Sequence, residues 1–208
     1  MGNGNLQVNF DNDLNIRDMF FPFVGLENHV SGHFCMFGVW VDGRFSWIDA
    51  SWNKRFGYKR DSLVTEVLLK KSGLQLELQV EDAIHHFRDI FIRKVTVKNT
   101  GEKEKEVRLF FSNDLHLADT DKGITVYYDP KTDAIVHSKK DRYFSISGSF
   151  GREGLFQFAV GVTEFGGLKG TWKDAEDGGL GKNPVAHGSV DSTISLKTKV
   201  QSEDFQYM

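Results

Sequence analysis

The chain has 208 residues, and its 26 Lys and Arg against 29 Asp and Glu give a formal net charge of −3 at pH 7. This balance leaves no basic field to hold a nucleic-acid backbone. The single cysteine excludes an internal disulfide. Because there is no signal-peptide pattern and no apolar run near the ~20 residues that cross a bilayer, the sequence indicates a cytoplasmic protein without membrane partners.

Alternation of apolar and polar residues with a period of two dominates the chain and predicts antiparallel β-strands with one wet face. The pair Asp42-Gly43, between two aromatic-rich runs, predicts a two-residue hairpin. In chain order, the predicted strands are Leu6–Phe10, Ile16–Phe21, Phe34–Val41, Phe45–Ile48, Leu74–Glu81, Ile90–Lys98, Val107–Leu117, Ile124–Tyr128, Ala134–His137, Tyr143–Ser149, Leu155–Thr163 and Val190–Val200.

The segment Asp61–Gly73 fits two interpretations. Ser62 as a helix N-cap and Gly73 as a stop signal suit a short helix. The β-branched residues Thr65 and Val67, and the tight turn before the next strand, favour a strand. We expect the strand.

The number of strands predicts the fold class. About a dozen short strands are too many for one open sheet, so two large antiparallel sheets should pack face to face. A length of 208 residues suits one all-β domain covering residues 1–208. The sequence therefore predicts an all-β, two-sheet sandwich.

A long segment, Gly166–Ser192, is rich in glycine and acidic residues and predicts a loop with a role in contact. Trp172 argues against plain disorder, since solvated tails are poor in aromatics. Three carboxylates follow it closely, and paired carboxylates are what sugar hydrolysis requires. These are Asp174, Glu176 and Asp177. From the residues alone, a solvated acidic turn, a surface for a partner domain or carbohydrate, and a catalytic site all stay open.

Two pairs of histidines are candidate metal ligands. His85 and His86 are adjacent, so on a strand they point to opposite faces and cannot share an ion. His29 and His33 are four residues apart, but the Ser31-Gly32 step between them breaks a helix and with it the chelating geometry. Neither pair predicts a metal site.

Two further motifs have ordinary structural interpretations. Asp119, Asp121 and Gly123 resemble the start of a calcium loop, but the remaining ligands do not follow. Cys35 lies in an apolar run, where a buried thiol is inert. We therefore predict no metal and no other cofactor.

Four segments resemble bacterial and archaeal glucoamylase-like proteins of glycoside hydrolase family 15, and the resemblance covers nearly the whole chain. They are GNGNLQVNFDNDLNIRDMFFPFVGLENHV, FGVWVDGRFSWI, NDLHLADTDKGITVYYDPKTDAIVHSKKDRYF and GTWKDAEDGGLGKNPVAHGSVDSTI. The resemblance implies the N-terminal domain of such a protein, an antiparallel supersandwich related in fold to galactose mutarotase. In that family the domain precedes an (α/α)6 barrel, which carries the two catalytic glutamates of an inverting mechanism.

No paired amphipathic helices of such a barrel occur in this sequence, so the resemblance carries over no catalytic residue. It implies a non-catalytic domain of an α-glucan-processing hydrolase, similar to a glucan 1,4-alpha-glucosidase. Its partner would be the catalytic domain of the same polypeptide. Trp172 would then contact the barrel, and Asp174, Glu176 and Asp177 would meet polar groups at the active-site rim.

Two rival functions use the same fold class. A stand-alone aldose mutarotase-like enzyme needs a His acid and a Glu base in one cleft. The residues available for these roles are His29, His33, His116, His187, Glu27 and Glu164. A carbohydrate-binding module for α-glucan oligosaccharides needs an exposed aromatic platform; Trp40 and Trp47 flank the hairpin, although we expect this pair in the core.

Overall fold

The computed structural model describes residues 1–120, 122–165, 167–202 and 205–208. Within these residues the regular structure is antiparallel β-sheet, with one α-helix, α1 (Thr171–Asp174), and 3₁₀ turns at Ser72–Leu74, Leu117–Asp119 and Ala175–Asp177. The strands are β1 (Gln7–Phe10), β2 (Ile16–Phe20), β3 (Cys35–Val41), β4 (Arg44–Trp47), β5 (Asn53–Tyr58), β6 (Thr65–Lys71), β7 (Leu76–Ile84), β8 (Phe91–Asn99), β9 (Lys105–Asp114), β10 (Ile124–Asp129), β11 (Ala134–Lys139), β12 (Arg142–Ile146), β13 (Gln157–Val162), β14 (Glu164–Phe165), β15 (Leu168–Lys169), β16 (Val185–Gly188), β17 (Val190–Val200) and β18 (Phe205–Tyr207).

One layer of the molecule is a seven-stranded sheet with the order β1-β2-β3-β9-β17-β13, in which β4 also pairs with β3. Strands β9 and β17 form its centre, with a register that runs from Asp191 opposite Asp114 to Val200 opposite Lys105. Because side chains alternate along a strand, this sheet has an inner face and an outer face.

The inner face of the seven-stranded sheet is covered by two separate sheets. A five-stranded sheet has the order β18-β8-β7-β6-β5, and a four-stranded sheet has the order β12-β11-β10-β16. Leu196 packs in the core under the first sheet and Ile194 in the core under the second. These residues are two apart on β17, so both cores lie on one face.

The predicted all-β antiparallel sandwich is confirmed, with the difference that its second layer consists of two sheets. The preferred strand within Asp61–Gly73 is confirmed as β6. The hairpin is also confirmed, since Asp42 and Gly43 have φ angles of 45° and 90° and join β3 to β4. Both positive values are those of a tight hairpin turn.

The prediction of one long loop over residues 166–192 was wrong for the described residues of that segment. Residue Gly166 lies outside the described part, but β15, α1, β16 and the start of β17 all follow it. Tertiary contacts determine these short elements, and their local sequence therefore does not predict them. No described helix is long and apolar enough to span a membrane.

Candidate functional site

Residues 170–181, here called the cap, lie across the outer face of the seven-stranded sheet. The cap consists of α1, the 3₁₀ turn Ala175–Asp177 and the turn after it. Ala175 and Leu180 are buried and pack on Phe110 of β9. Phe110 points to the outer face and is nevertheless fully buried. The cap therefore closes a third small core, opposite the two inner ones.

Glycine allows the cap to approach the sheet closely. Gly178 has a φ of 88°, and a Cβ built on it would lie 2.3 Å from Nε1 of Trp40. Its carbonyl oxygen accepts a hydrogen bond of 2.5 Å from Nη1 of Arg108. The Arg108 guanidinium lies 4.1 Å from the centre of the Trp40 ring. No other residue type fits this position without strain.

A buried carboxylate anchors the beginning of the cap. Oδ2 of Asp191 accepts a hydrogen bond of 2.8 Å from the backbone N–H of Thr171, and the Thr171 and Thr193 hydroxyls are 2.9 Å apart. Burial raises the pKa of Asp191 to about 7. A Cβ on Gly170 would lie 2.3 Å from the same Oδ2, so glycine is required for this contact too.

The structure places Trp172, Asp174 and Asp177 on the solvent side of the cap. Trp172 is half-buried, and Asp174 and Asp177 are exposed. Oδ2 of Asp174 accepts a hydrogen bond from the N–H of Gly181 at 3.0 Å. Oδ1 of Asp177 accepts one from Gly179 at 2.8 Å. Both acids thus stabilise turns of the cap while remaining accessible.

Glu176, the remaining predicted site residue, contacts the hairpin strand β4 and the cap helix. Its Oε1 accepts a hydrogen bond of 3.2 Å from Nε1 of Trp47, and its Oε2 pairs with Lys173. Lys169 and Lys173 place their Nζ atoms 5.9 and 5.8 Å from the Trp172 ring centre. The cap and the adjacent Lys169 therefore present one aromatic ring flanked by two cations, with two accessible carboxylates on the same segment.

The aromatic pair on the hairpin belongs to the core beneath the cap. Trp40 and Trp47 are half-buried and pack with Phe45 against the Phe110 cluster. Phe45 and Trp47 meet edge to face at 4.8 Å. This packing supports the core interpretation of the pair over a sugar-binding platform.

One of the histidine–glutamate pairs available to a mutarotase-like enzyme does meet. Nε2 of His29 is 3.5 Å from Oε1 of Glu27 and 2.6 Å from the carbonyl oxygen of Phe21. His29 is fully buried. Glu27 forms two hydrogen bonds of 2.9 Å with Arg142, which lowers the pKa of Glu27. A carboxylate held in this way is a poor general base.

The remaining candidate histidines make other contacts. Nδ1 of His33 is 3.0 Å from Oδ2 of Asp114, and the His33 and His116 ring centres are 5.3 Å apart. Nδ1 of His187 is 2.9 Å from Oγ1 of Thr125. Within the described part of the chain, none of these three histidines forms a hydrogen bond or ion pair with a glutamate.

Among the described residues, no group of three His, Cys, Asp or Glu side chains is arranged to hold a metal ion. Asp121 and the side chain of Asp119 lie outside the described part. Burial raises the pKa of the Cys35 thiol to about 12, so the reactive thiolate is disfavoured.

Sequence reasoning missed the residues that hold the cap in place. They are Arg108, Gly170, Gly178 and Asp191. One signal was available, because Asp191 is an acid inside an otherwise strand-forming run and such a residue needs a partner. The partner, a backbone N–H twenty residues earlier, has no signature in the sequence.

Neither a family model nor a curated protein matches this chain. Among solved structures, the chain is similar to a bacterial glucoamylase crystallised with acarbose, with a TM-score of 0.74 and 12% sequence identity. The match covers 99% of this chain and 30% of that chain. The chain thus has a glucoamylase-like β-sandwich fold and spans less than a third of the glucoamylase's length.

Proposed function

We propose that this chain is a single, non-catalytic N-terminal domain of a longer α-glucan-processing glycoside hydrolase. It packs against the (α/α)6 catalytic domain of the same polypeptide and stabilises or shapes the rim of the active site. The observation that carries the proposal is the fold match, which takes in nearly all of this chain but 30% of the glucoamylase chain. A single domain aligned with a longer protein that contains a similar domain is covered almost completely, whereas the longer protein is covered in part. The glucoamylase-like motifs of the sequence agree with it.

The cap is the surface that we assign to this contact. Asp191 and Phe110 hold it against the sheet, so binding has little ordering entropy to overcome. A half-buried tryptophan on a rigid base suits the centre of an interface, and the flanking charges suit its rim. Trp172 has the first role, and Asp174 and Asp177 have the second. Glu176 supports them through its bond to Trp47.

The test uses the longer polypeptide with Trp172→Ala and Asp174→Ala introduced together. We expect loss of about 2 kcal/mol at the interface, seen as a lower melting temperature of the catalytic domain or reduced hydrolysis. Phe87→Ala is the matched control, because Phe87 is 86% exposed and lies beside the five-stranded sheet, on the other layer. Unchanged stability and activity in the double variant would contradict the proposal.

Direct carbohydrate binding is the alternative, and the half-buried Trp172 on the same segment as the accessible Asp174 favours it. An indole face next to carboxylate acceptors can hold a sugar ring. Titration of the chain with maltooligosaccharides, followed by Trp fluorescence, tests this alternative. A polarimetric assay with glucose and galactose tests the mutarotase-like enzyme, for which the buried His29 and the Arg142-bound Glu27 are unfavourable.

A further inference from the structure

A cavity of about 460 Å³ lies between the two sheets of the inner layer. We call it the slot. Its floor is the inner face of the seven-stranded sheet, where Phe111, Ile194 and Leu196 line it. Its two walls are Phe91 and Arg93 of β8 on one side and residues 143–148 of β12 and its end on the other. The slot therefore separates the five-stranded sheet from the four-stranded sheet.

Both walls of the slot are open strand edges in the described part of the chain. Strand β12 is at the end of its sheet and pairs with β11 alone. Strand β8 pairs with β7 along its whole length, whereas β18 pairs with it, among the described residues, at Thr96, Val97 and Lys98. The edge of β8 at residues 91–94 faces the slot without a paired strand. Open edges of this kind accept a further strand.

Strand β18 already runs toward the slot. Tyr207 lies opposite Thr96, and the N–H of Met208 donates a hydrogen bond of 2.9 Å to the carbonyl oxygen of Val95. Met208 itself lines the slot. In an antiparallel ladder such hydrogen-bonded pairs recur at every second residue. If the chain continued beyond Met208 in this register, its next backbone hydrogen bonds would be with the N–H and C=O groups of Arg93 and then of Phe91.

The slot suits an uncharged, apolar occupant. Its floor residues Ile194 and Leu196 are buried and apolar. Among the described lining residues two are charged: Arg93 donates from Nε and Nη2 to Asp82 at 2.8 and 2.9 Å, so its charge is balanced, and Asp89 is exposed to solvent. A strand with apolar side chains at every second residue would pack these side chains on the apolar floor. Its backbone would form hydrogen bonds with the open strand edge.

We propose that the slot receives one β-strand of the same polypeptide, which continues β18 antiparallel to β8 and joins the two inner sheets into one. Its inward side chains lie on Phe111, Ile194 and Leu196. The inference rests on the proposed function in one respect, namely that this domain belongs to a longer polypeptide. It does not depend on the cap or on any contact with a catalytic domain.

The test adds five residues, Thr-Val-Thr-Val-Lys, after Met208. Met208 packs against the inner core, so the valines at the second and fourth added positions point to the same side. We expect the melting temperature to rise by about 4 °C. The backbone amides of Phe91 and Arg93 should exchange with solvent at least about tenfold more slowly.

The matched control is Val-Thr-Val-Thr-Lys, which has the same composition and directs threonines into the slot. A shift of one residue sends every side chain to the other face, so this variant should gain neither stability nor amide protection. Equal behaviour of the two extensions overturns the proposal. Protection that appears only with increasing protein concentration, together with a dimer in solution, overturns it in favour of a second copy of the chain. Because all readouts come from this domain alone, they are independent of the Trp172 test.

Discussion

At the scale of single residues, Asp191 determines how the cap is attached. It lies on the outer face of β17, directly opposite Asp114 of β9. Burial raises its pKa to about 7, the neighbouring Asp114 acts in the same direction, and the N–H groups of Thr171 and Trp172 oppose the rise. Its Oδ1 atom has no hydrogen-bond partner among the described residues. The folded state therefore holds a proton on Asp191 more tightly than the unfolded chain does.

This difference makes the contribution of Asp191 to stability depend on pH. The pKa is about 7 in the folded protein and 3.8 for an unperturbed aspartate, so the contribution is fully present below pH 4 and is lost as the pH rises toward 7. Asp191→Asn removes the titration. We expect the free energy of unfolding of the wild type, relative to the variant, to fall by a few kcal/mol between pH 4 and pH 8, at about 1.4 kcal/mol per pKa unit.

Urea unfolding at several pH values measures this effect. Asp177→Asn serves as a control for the loss of one acid, because Asp177 is exposed on the same segment. Subtracting each variant from the wild type cancels the other carboxyl groups, several of which have lowered pKa values and opposite pH dependence. A difference that stays constant from pH 4 to pH 8 would show that Asp191 is not protonated in the folded protein.

At the scale of elements, the strands with one wet face could be predicted and the cap could not. In β7 the alternation of Leu and Val with Gln and Glu matches the pattern of burial, since Leu76, Leu78 and Val80 are buried. The Asp42-Gly43 turn is equally local, because two residues with positive φ determine it. Elements of this kind can be predicted because the residues that determine them are adjacent in the sequence.

Other elements depend on residues far away in the chain. Strand β5 (Asn53–Tyr58) is mostly exposed and has no apolar alternation, so only its pairing with β6 defines it. The cap helix has four residues and no side-chain N-cap of its own. Its capping acceptor is Asp191, and the apolar contacts of the cap with Phe110 are made after the helix, by Ala175 and Leu180. The three predicted acids lie on the cap, and the contacts around them depend on the fold.

The fit of the cap onto the sheet predicts that Gly178→Ala is strongly destabilising. A side chain there meets Trp40 at 2.3 Å and also opposes a φ of 88°. Overpacking and left-handed strain together should lower the free energy of unfolding by about 2–4 kcal/mol. Chemical denaturation measures the loss, and Trp fluorescence reports whether the ring has moved.

Gly181→Ala is the control for this prediction. It lies in the same segment, but its nearest neighbour would be an Asp174 oxygen at an ordinary 3.7 Å, and it has no positive φ. Its effect should stay within about 1 kcal/mol. If both alanine variants were equally stable, the cap would not be seated on Trp40 as described.

At the scale of the whole molecule, the seven-stranded sheet is the common support of all three cores. Its inner face carries the cores under the five-stranded and four-stranded sheets, and its outer face carries the cap. Phe10, Phe111 and Leu155 contact both inner cores. Phe111 also stacks on Phe37 with ring centres 4.9 Å apart. The two inner sheets are therefore coupled through shared side chains although they do not pair with each other within the described residues.

This coupling predicts that Phe111→Ala lowers the stability of the molecule as one unit. Removing a large ring from a core costs about 3–5 kcal/mol, and here the loss falls on both inner cores. We expect a single unfolding transition at lower temperature, with far-UV and near-UV circular dichroism changing together. Val185→Ala, at a side chain that is 55% exposed on β16, should change the midpoint little. Two separate transitions in the Phe111 variant would mean that the sheets fold independently, and the shared support would then be wrong.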